Sequence, residues 1–524
     1  MNKLQQSAVS YRVAACIVTT LLFIFSSSMA LAAAEVAVHI RDGRISGVLQ
    51  QGVNSFKGIP FAAPPVGDLR WRPPAPVLPW EGVFDASEYG PNCLQFPFSP
   101  GSPYRFEVEP GSEDCLYLNV WSPALATDQL APVMLWIHGG SFTRGGAVQP
   151  SYDGTRLAGE GVVVVTINYR LNIFGYLAHP QLSAEQGGGS GNYGLRDQIA
   201  ALRWVRDNIA AFGGDPGRVT VFGESAGAMA VSQILVSPLA EGLFHAAIGQ
   251  SGGSLAPQPE LATGHALGEE VAASAGVSGI AGLRALPAAE VLALFGEFES
   301  SGKRIRPLVD GRVVPEQPLA LYKRGDFHRV PSLVGYNRDE ASVFSSYPGM
   351  PFMFHNQQDF EAGLKERMGW GAYPFIWAYP EQDGSVQPYL DFWRDMLFGW
   401  NMQTWARLSE AAGEPAWLYF FTHVPDTATG RQLGAYHAAE IAFVFGNGLP
   451  ETAADQQVHA LMRGYWVNFA RSGNPNGEGL PQWPRYGDAG RYLDINETPL
   501  VGEDLDWLQM KLWTFAYDRA AARE

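Results

Sequence analysis

The sequence is poor in charge, and positive charge is the scarcer sign. Only 17% of its 524 residues are Asp, Glu, Lys or Arg, while 46% are apolar and 12% aromatic. This composition excludes a disordered or fibrous chain, because so many apolar residues can bury a large core. The 36 Lys and Arg against 52 Asp and Glu leave a net charge of −16, which opposes binding to nucleic-acid backbones and anionic lipid surfaces. We therefore expect no nucleic-acid partner.

The N-terminus has the pattern of a secretory signal. Lys3 and Arg12 precede an apolar stretch over residues 13–25, and small residues follow up to Ala34. A transmembrane helix fits less well, because this stretch is too short to cross about 30 Å of hydrocarbon at 1.5 Å per residue. We predict a signal peptide at residues 1–34 and a secreted or periplasmic protein without a stable membrane anchor.

Cysteine is scarce, with three residues in the whole chain. Cys16 lies in the predicted signal peptide, so the mature protein would keep only Cys93 and Cys115. In an oxidising compartment these two are expected to form a disulfide, which would stabilise the fold by roughly 3 kcal/mol. Two buried thiols are the alternative.

Repeats of fixed period and long linkers are also lacking, which favours one domain over residues 35–524. Five apolar runs predict buried strands, at residues 133–137, 162–168, 219–222, 332–335 and 417–421. Apolar residues at helical spacing from Leu195 to Ile209 separate two of these runs, which predicts an α/β fold with a mostly parallel sheet. Two helical stretches, about 255–295 and 352–408, are predicted to be insertions that cover a site at the strand ends.

Two G-x-S-x-G motifs place a serine in a candidate tight turn, one around Ser225 and one around Ser251. Ser225 follows the predicted strand 219–222 and precedes a predicted helix over residues 226–236. Prolines soon after Ser251 prevent a continuous helix there. We predict that Ser225 is the nucleophile and that Ser251 is a buried structural serine.

A glycine-rich segment, His138-Gly139-Gly140-Ser141, follows another predicted strand. Its backbone N–H groups are unobstructed, as an oxyanion hole requires. A serine hydroxyl is a poor nucleophile at its free pKa, so it needs both such donors and a neighbouring base. An ordinary turn is the alternative for this segment taken alone.

The chain resembles the type-B carboxylesterase and cholinesterase family of α/β hydrolases over nearly all of the mature sequence. The resemblance is carried by ordered segments that include residues 56–62 (FKGIPFA), 113–121 (EDCLYLNVW), 192–198 (NYGLRDQ) and 213–216 (GGDP). It implies an α/β-hydrolase fold with large helical insertions over the active site. It also implies a serine carboxylic-ester hydrolase that acts on small-molecule esters through an acyl-enzyme, with no metal or organic cofactor.

The same resemblance suggests roles for individual residues. The family's acid falls on Glu340, with Asp339 as the alternative, and its base falls on His437. The order Ser225, Glu340, His437 is that of α/β hydrolases. The oxyanion donors are expected to be the backbone amides of Gly140, Ser141 and Ala226, and the cysteine at position 115 is paired in many family members.

Three alternative functions can be weighed from individual residues: a binding module, a choline-ester hydrolase and an esterase for anionic substrates. A non-catalytic binding module is disfavoured because such family members typically lack part of the triad. Choline-ester specificity is doubtful because no tryptophan lies between Cys93 and Cys115. A preference for anionic polycarboxylate esters, such as the tricarballylate esters of fumonisins, would use Arg144 and Arg306 as substrate-binding residues, near Lys303 and Arg304. Surface charges paired with neighbouring acids are the alternative.

Overall fold

The computed structural model describes residues 34–106, 111–125, 127–344, 357–382 and 385–521. Apart from Ala34, which begins the first strand, the predicted signal peptide lies outside the described residues. Parts of the second predicted insertion, residues 352–356 and 383–384, also lie outside them.

Thirteen strands of the described chain form one mixed sheet, in the order β1-β2-β3-β5-β7-β6-β8-β9-β10-β11-β12-β13, with β4 beside β2. The strands from β7 to β12 in this order run parallel, and antiparallel strands flank them on both sides. Their bounds are β1 Ala34–Ile40, β2 Gly43–Gln50, β3 Val53–Pro60, β4 Val83–Asp85, β5 Tyr117–Ser122, β6 Ala131–Ile137, β7 Val163–Ile167, β8 Gly214–Glu224, β9 Ala246–Gln250, β10 Ser332–Asn337, β11 Ala416–Phe421, β12 Tyr492–Ile495 and β13 Leu500–Gly502. The predicted α/β fold with a mostly parallel sheet is confirmed.

Helices cover both faces of this sheet, because successive strand residues point to opposite sides. In β6, Val133, Leu135 and Ile137 join one apolar core, whereas Met134 and Trp136 join the other. The helices are α1 Thr155–Ala158, α2 Asn172–Tyr176, α3 Pro180–Glu185, α4 Tyr193–Asn208, α5 Ala226–Leu235, α6 Leu261–Ser274, α7 Gly279–Ala285, α8 Ala288–Ser300, α9 Pro318–Arg324, α10 Gln357–Met368, α11 Ala372–Ala378, α12 Gln387–Arg394, α13 Trp400–Ala411, α14 Ala428–Leu433, α15 Ile441–Phe445, α16 Ala453–Ser472 and α17 Trp507–Ala521.

The five predicted strands all occur, but β8 begins five residues earlier than the prediction, at Gly214 instead of Val219. The chain turns at Gly213, whose φ of 76° is left-handed and suits glycine. Gly214 then pairs at once with Ala131 of β6, across an irregularity in register. Gly214 and Pro216 of the GGDP segment therefore belong to the first residues of the strand.

The helical insertions contain α6 to α8 and α10 to α13, with a π-helical turn at Asp395–Gly399 between α12 and α13. Trp400 and Trp405 are fully buried, whereas Trp370 and Trp377 are 89% and 72% exposed. Within the described ranges, no single helix is long and apolar enough to cross a membrane, and one pair, α7 with α8, passes that test only as two halves bent by 117°.

Candidate active site

Ser225 lies in the sharp turn between β8 and α5. Its φ of 55° and ψ of −123° are unusual for a residue with a side chain. A Cβ on Gly223 would lie 2.6 Å from the backbone of Gly227, and one on Gly227 would lie 2.0 Å from the carbonyl of Ile137. Both glycines of the motif are therefore required for the turn to pack against β6.

Ser251 occupies a different environment at the end of β9. It is fully buried, its φ is 51°, and its amide donates to the carbonyl of Gly335 at 2.8 Å. A non-helical segment follows it. These features agree with the interpretation of Ser251 as a buried structural serine.

Glu340 and His437 lie in contact, although they are 97 positions apart. Nδ1 of His437 is 2.6 Å from Oε2 of Glu340. The other oxygen, Oε1, accepts from the amide of Asn337 at 2.8 Å, which holds the carboxylate beside the end of β10. In the neutral imidazole, a carboxylate so placed favours the tautomer with the proton on Nδ1 and leaves the lone pair on Nε2.

Asp339, the alternative acid, has other partners. Its Oδ2 accepts from the amide of Ala435 at 2.8 Å and from the guanidinium of Arg338 at 3.0 Å. It therefore anchors the segment that leads to His437, while Glu340 faces the imidazole.

Two further buried glutamates surround the histidine, and sequence reasoning missed both. Glu224, which precedes the motif serine, is 3% exposed, and its Oε1 lies 3.1 Å from Nε2 of His437 without hydrogen-bond alignment. Glu440 accepts from the side chains of Gln250 and Asn337 at 2.9 and 2.6 Å. The sequence did offer one sign of this arrangement, the acidic residue Glu224 inside the serine motif. Its burial beside the histidine, however, depends on packing between segments that are distant in sequence.

Glu224, Glu440 and His437 each bind a proton more tightly than the same group does in water. Burial raises the pKa of Glu224 and that of Glu440. Burial alone would lower the pKa of His437, but the charges of Glu224 and Glu340 outweigh it and raise that pKa to about 9. The histidine must lose this proton to act as a base, so the site is suited to work better as pH rises.

Aromatic side chains enclose the opposite side of His437. The ring of Phe398 stacks on the imidazole at 4.7 Å, and the ring of Phe344 lies 5.4 Å away. Tyr104 meets the imidazole edge-on at 6.3 Å, and its hydroxyl donates to the carbonyl of His437 at 2.7 Å. No motif marked these three residues, because Phe398 comes from the second insertion, Tyr104 comes from the disulfide loop, and Phe344 lies beyond the segment around Glu340.

The loop after β6 approaches the serine closely. A Cβ on Gly139 would lie 3.1 Å from Cβ of Ser225 and 2.7 Å from Oε2 of Glu224. Gly140 has a φ of 106°, and Ser141, whose side chain is exposed, has a φ of 57°. The amides of Gly140, Ser141 and Ala226 donate to no acceptor within the described part of the chain. Three unpaired donors beside a serine can bind a negatively charged oxygen.

A cavity of about 300 Å³ opens beside these groups. Its lining includes Phe98, Tyr104, Gly140, Glu224 and His437. The disulfide loop supplies the first two, and the predicted bond between Cys93 and Cys115 is present, with a Cα–Cα distance of 4.9 Å. Among the described residues, no cluster of three or more His, Cys, Asp or Glu side chains is arranged to hold a metal.

The basic residues proposed for substrate binding lie in different surroundings. The guanidinium of Arg144 lies 5.5 Å from the ring centre of Phe98, a residue of the cavity wall. Arg304 and Arg306 both pair with Glu299, and Lys303 pairs with Glu270. The structure therefore favours paired charges for the 303–306 cluster and leaves Arg144 near the site.

Comparison with known proteins identifies the family. Residues 34–513 match the sequence model of the Carboxylesterase family. The chain belongs to this family. As a carboxylesterase it is a carboxylic-ester hydrolase that acts on small esters, and the interpretation as a non-catalytic binding module is set aside.

Curated relatives resemble this carboxylesterase over most of their length. Fumonisin B1 esterase of Sphingopyxis macrogoltabida is 38% identical over 490 residues, which cover 89% of this chain and 87% of that protein. Liver carboxylesterase of Sus scrofa is 36% identical over 527 residues, or 91% of each chain. A solved structure of a PNB esterase superposes with a TM-score of 0.80 at 33% identity and covers 91% of this chain and 99% of that one.

Proposed function

We propose that this carboxylesterase hydrolyses esters through an acyl-enzyme on Ser225, with His437 as the base and Glu340 as its acid. The observation that carries the proposal is the 2.6 Å contact between Nδ1 of His437 and Oε2 of Glu340. The strained turn that exposes Ser225 supports it, because such a turn is typical of nucleophilic serines in α/β hydrolases.

In the acylation step, Nε2 of His437 takes the proton of Ser225 Oγ while Oγ attacks the ester carbonyl. The developing oxyanion is bound by the amides of Gly140, Ser141 and Ala226. The ester C–O bond then breaks, and the alcohol leaves with the proton that His437 carried. Glu340 stabilises the imidazolium between these transfers.

In the deacylation step, water replaces the alcohol. His437 removes a proton from the water, the resulting hydroxide attacks the acyl group, and Ser225 recovers its proton as the carboxylic acid leaves. Among the described residues no hydrogen bond joins Ser225 to His437, and Nε2 of His437 lies 3.1 Å from Oε1 of Glu224. We expect the bond between Ser225 and His437 to form when substrate binds, because catalytic hydrogen bonds often tighten only in the complex.

Replacing Ser225 by alanine tests the proposal. We expect kcat for p-nitrophenyl acyl esters to fall by about 10⁵- to 10⁶-fold, because serine and histidine act as a unit. Ser251→Ala is the matched control, since this second motif serine is fully buried at the end of β9, and we expect it to keep activity. Inactivation by Ser251→Ala with an active Ser225→Ala variant would refute the choice of nucleophile.

A narrower substrate preference, for anionic polycarboxylate esters of the fumonisin type, is a second candidate. Arg144 favours it, because a guanidinium near the cavity wall can bind a carboxylate bidentately. The likeness to a protein named Fumonisin B1 esterase points the same way. Arg306 is a weaker candidate because Glu299 already neutralises it.

Two esters of similar size, one tricarballylate and one neutral, test this preference. We expect Arg144→Ala to lower kcat/KM about 30-fold or more for the anionic ester only, and Arg306→Ala to have the smaller effect. Equal losses on both esters would leave a general carboxylesterase. A wider panel with choline esters and triglycerides would define the remaining specificity.

Export forms the last part of the proposal. The predicted signal at residues 1–34 and the disulfide between Cys93 and Cys115 support a secreted or periplasmic enzyme. Sequencing the N-terminus of the protein recovered outside the cytoplasm should find a start near Ala34. A start at Met1 in that fraction would contradict cleavage.

A further inference from the structure

The oxyanion amides can be oriented through the carbonyl groups of the same peptides. A trans peptide bond holds its C=O and N–H on opposite sides, so a partner that fixes the oxygen also fixes the direction of the amide. Gly139 O shares a peptide with the amide of Gly140, and Gly140 O shares one with the amide of Ser141.

Backbone groups orient two of the three amides. Gly140 O accepts from the amides of Thr143 and Arg144 at 3.0 and 3.1 Å, which fixes the peptide of the Ser141 amide. Ser225 O accepts from the amide of Met229 at 2.9 Å in the first turn of α5, which fixes the Ala226 amide. These bonds follow from the turn and the helix themselves and need no particular side chain.

The third amide, that of Gly140, depends on a side chain. Nδ1 of His138 lies 2.8 Å from Gly139 O, and no other donor among the described residues reaches that oxygen. A carbonyl only accepts, so Nδ1 carries the proton. Burial lowers the pKa of His138 to about 4, which leaves the ring neutral with one N–H at physiological pH.

The imidazole of His138 is itself held in place. It stacks on the ring of Tyr169 at 4.4 Å, and the Tyr169 hydroxyl donates to His138 O at 2.8 Å. A Cβ on Gly145 would lie 2.6 Å from both His138 Nδ1 and Gly139 O, so only glycine allows this close approach. The bond from His138 to Gly139 is therefore built into packed surroundings.

We propose that His138 is a positioning residue for ester hydrolysis: its Nδ1–H holds the Gly139 carbonyl so that the Gly140 amide points at the oxyanion. It neither contacts substrate nor transfers a proton, and in this it differs from His437. The inference rests on the proposed function, because the oxyanion donors belong to that mechanism.

His138→Phe tests the role, because phenylalanine keeps a ring against Tyr169 and removes the donor. We expect kcat for p-nitrophenyl acetate to fall about 10- to 100-fold, while KM stays within about twofold of the value for the unchanged enzyme. This loss does not exceed the loss caused by deleting an oxyanion donor outright. His138→Asn offers an N–H close to the position of Nδ1 and should recover part of kcat. A purely structural role would not produce this recovery.

A matched pair of ketone inhibitors separates oxyanion binding from general damage. A trifluoromethyl ketone forms an oxyanionic adduct with a catalytic serine, whereas the corresponding methyl ketone does so poorly. We expect His138→Phe to weaken the trifluoromethyl ketone by the same factor as kcat/KM and to leave methyl ketone affinity unchanged. Unchanged kcat, or equal weakening of both ketones, would overturn the proposal.

Tyr169→Phe keeps the inference testable if His138→Phe does not fold. It removes the hydroxyl that holds His138 O but preserves the stacked ring, so we expect a several-fold loss of kcat at constant KM. Full activity would count against the proposal.

Ser225→Ala separates a failure of the proposed mechanism from a failure of the role of His138. An active Ser225→Ala variant refutes the mechanism, whereas an inactive one beside a fully active His138→Phe variant refutes only the role of His138.

Discussion

The two sides of His437 are built from different parts of the chain and from different chemistry. On one side lie three buried carboxylates: Glu224 ends β8, Glu340 follows β10, and Glu440 lies three residues after the histidine. On the other side lie aromatic rings: Phe398 from the second insertion, Tyr104 from the disulfide loop, and Phe344, which lies four residues after Glu340. The ends of the strands thus supply most of the negative charge that raises the proton affinity of His437, and the insertion and the disulfide loop supply two of the three enclosing rings. The acidic side should control the chemistry more strongly than the aromatic side.

The largest effect is expected from Glu340→Gln on the acidic side. The amide cannot stabilise the imidazolium and disturbs the tautomer, so kcat should fall by roughly 10⁴-fold while Ser225 and His437 stay in place. Steady-state kinetics with p-nitrophenyl esters checks this. Near-normal activity would transfer the role of the acid to Asp339, and Asp339→Asn serves as the control.

A smaller effect is expected from Phe398→Leu on the aromatic side. Loss of a stacked ring is worth about 0.5–1.5 kcal/mol, so kcat should fall about two- to tenfold as the imidazole becomes less well held. Phe392→Leu is the matched control, because this ring is equally buried but packs against Phe375 and Trp513 and not against the histidine. If both variants lowered kcat alike, the loss would reflect lower stability of the fold and not the contact of Phe398 with His437.

Glu224→Gln should shift a pH profile instead of abolishing activity. The carboxylate of Glu224 helps to raise the pKa of His437 to about 9, so the acid limb of kcat/KM should lie above the ordinary range of histidine. Removing the negative charge should move that limb to lower pH by about one unit or more. An unchanged acid limb would mean that Glu224 carries no charge when the enzyme works.

The smallest effect on catalysis is expected from reducing the bond between Cys93 and Cys115. Thiol titration of the denatured mature protein should find none without reductant and two with it. Reduction should lower the melting temperature by a few degrees, because the bond restricts the unfolded chain, and should leave most of kcat intact. A complete loss of activity would contradict the small effect expected of the aromatic side, because the bond holds the loop that carries Tyr104.

Sequence reasoning worked best where glycine constrains the backbone. The turn at Ser225 was predictable because Gly223 and Gly227 have no room for a side chain, and the alternation of strands and helices follows from apolar periodicity. The choice between Asp339 and Glu340 required the structure. Adjacent carboxylates point in different directions, and the fold decides which one faces His437.

Residues whose surroundings are distant in sequence could not be predicted. The contact of Phe398 with His437 depends on how the π-helical turn at Asp395–Gly399 packs, and no local pattern encodes it. The pairing of Arg304 and Arg306 with Glu299 depends on where α8 ends relative to the following segment. Charge counting alone therefore suggested a substrate site where the structure has ion pairs.

The strand order also has a consequence for how activity is acquired during folding. Chain order reverses at β6, which lies between β7 and β8, and the loops after β6 and β8 meet at this point. Glu340 follows β10 and His437 follows β11, so we expect them to meet only once both strands are paired in the sheet, a pairing that requires the closure of long loops. In a refolding experiment, the return of esterase activity should therefore lag behind the recovery of helical signal and should report completion of the whole sheet.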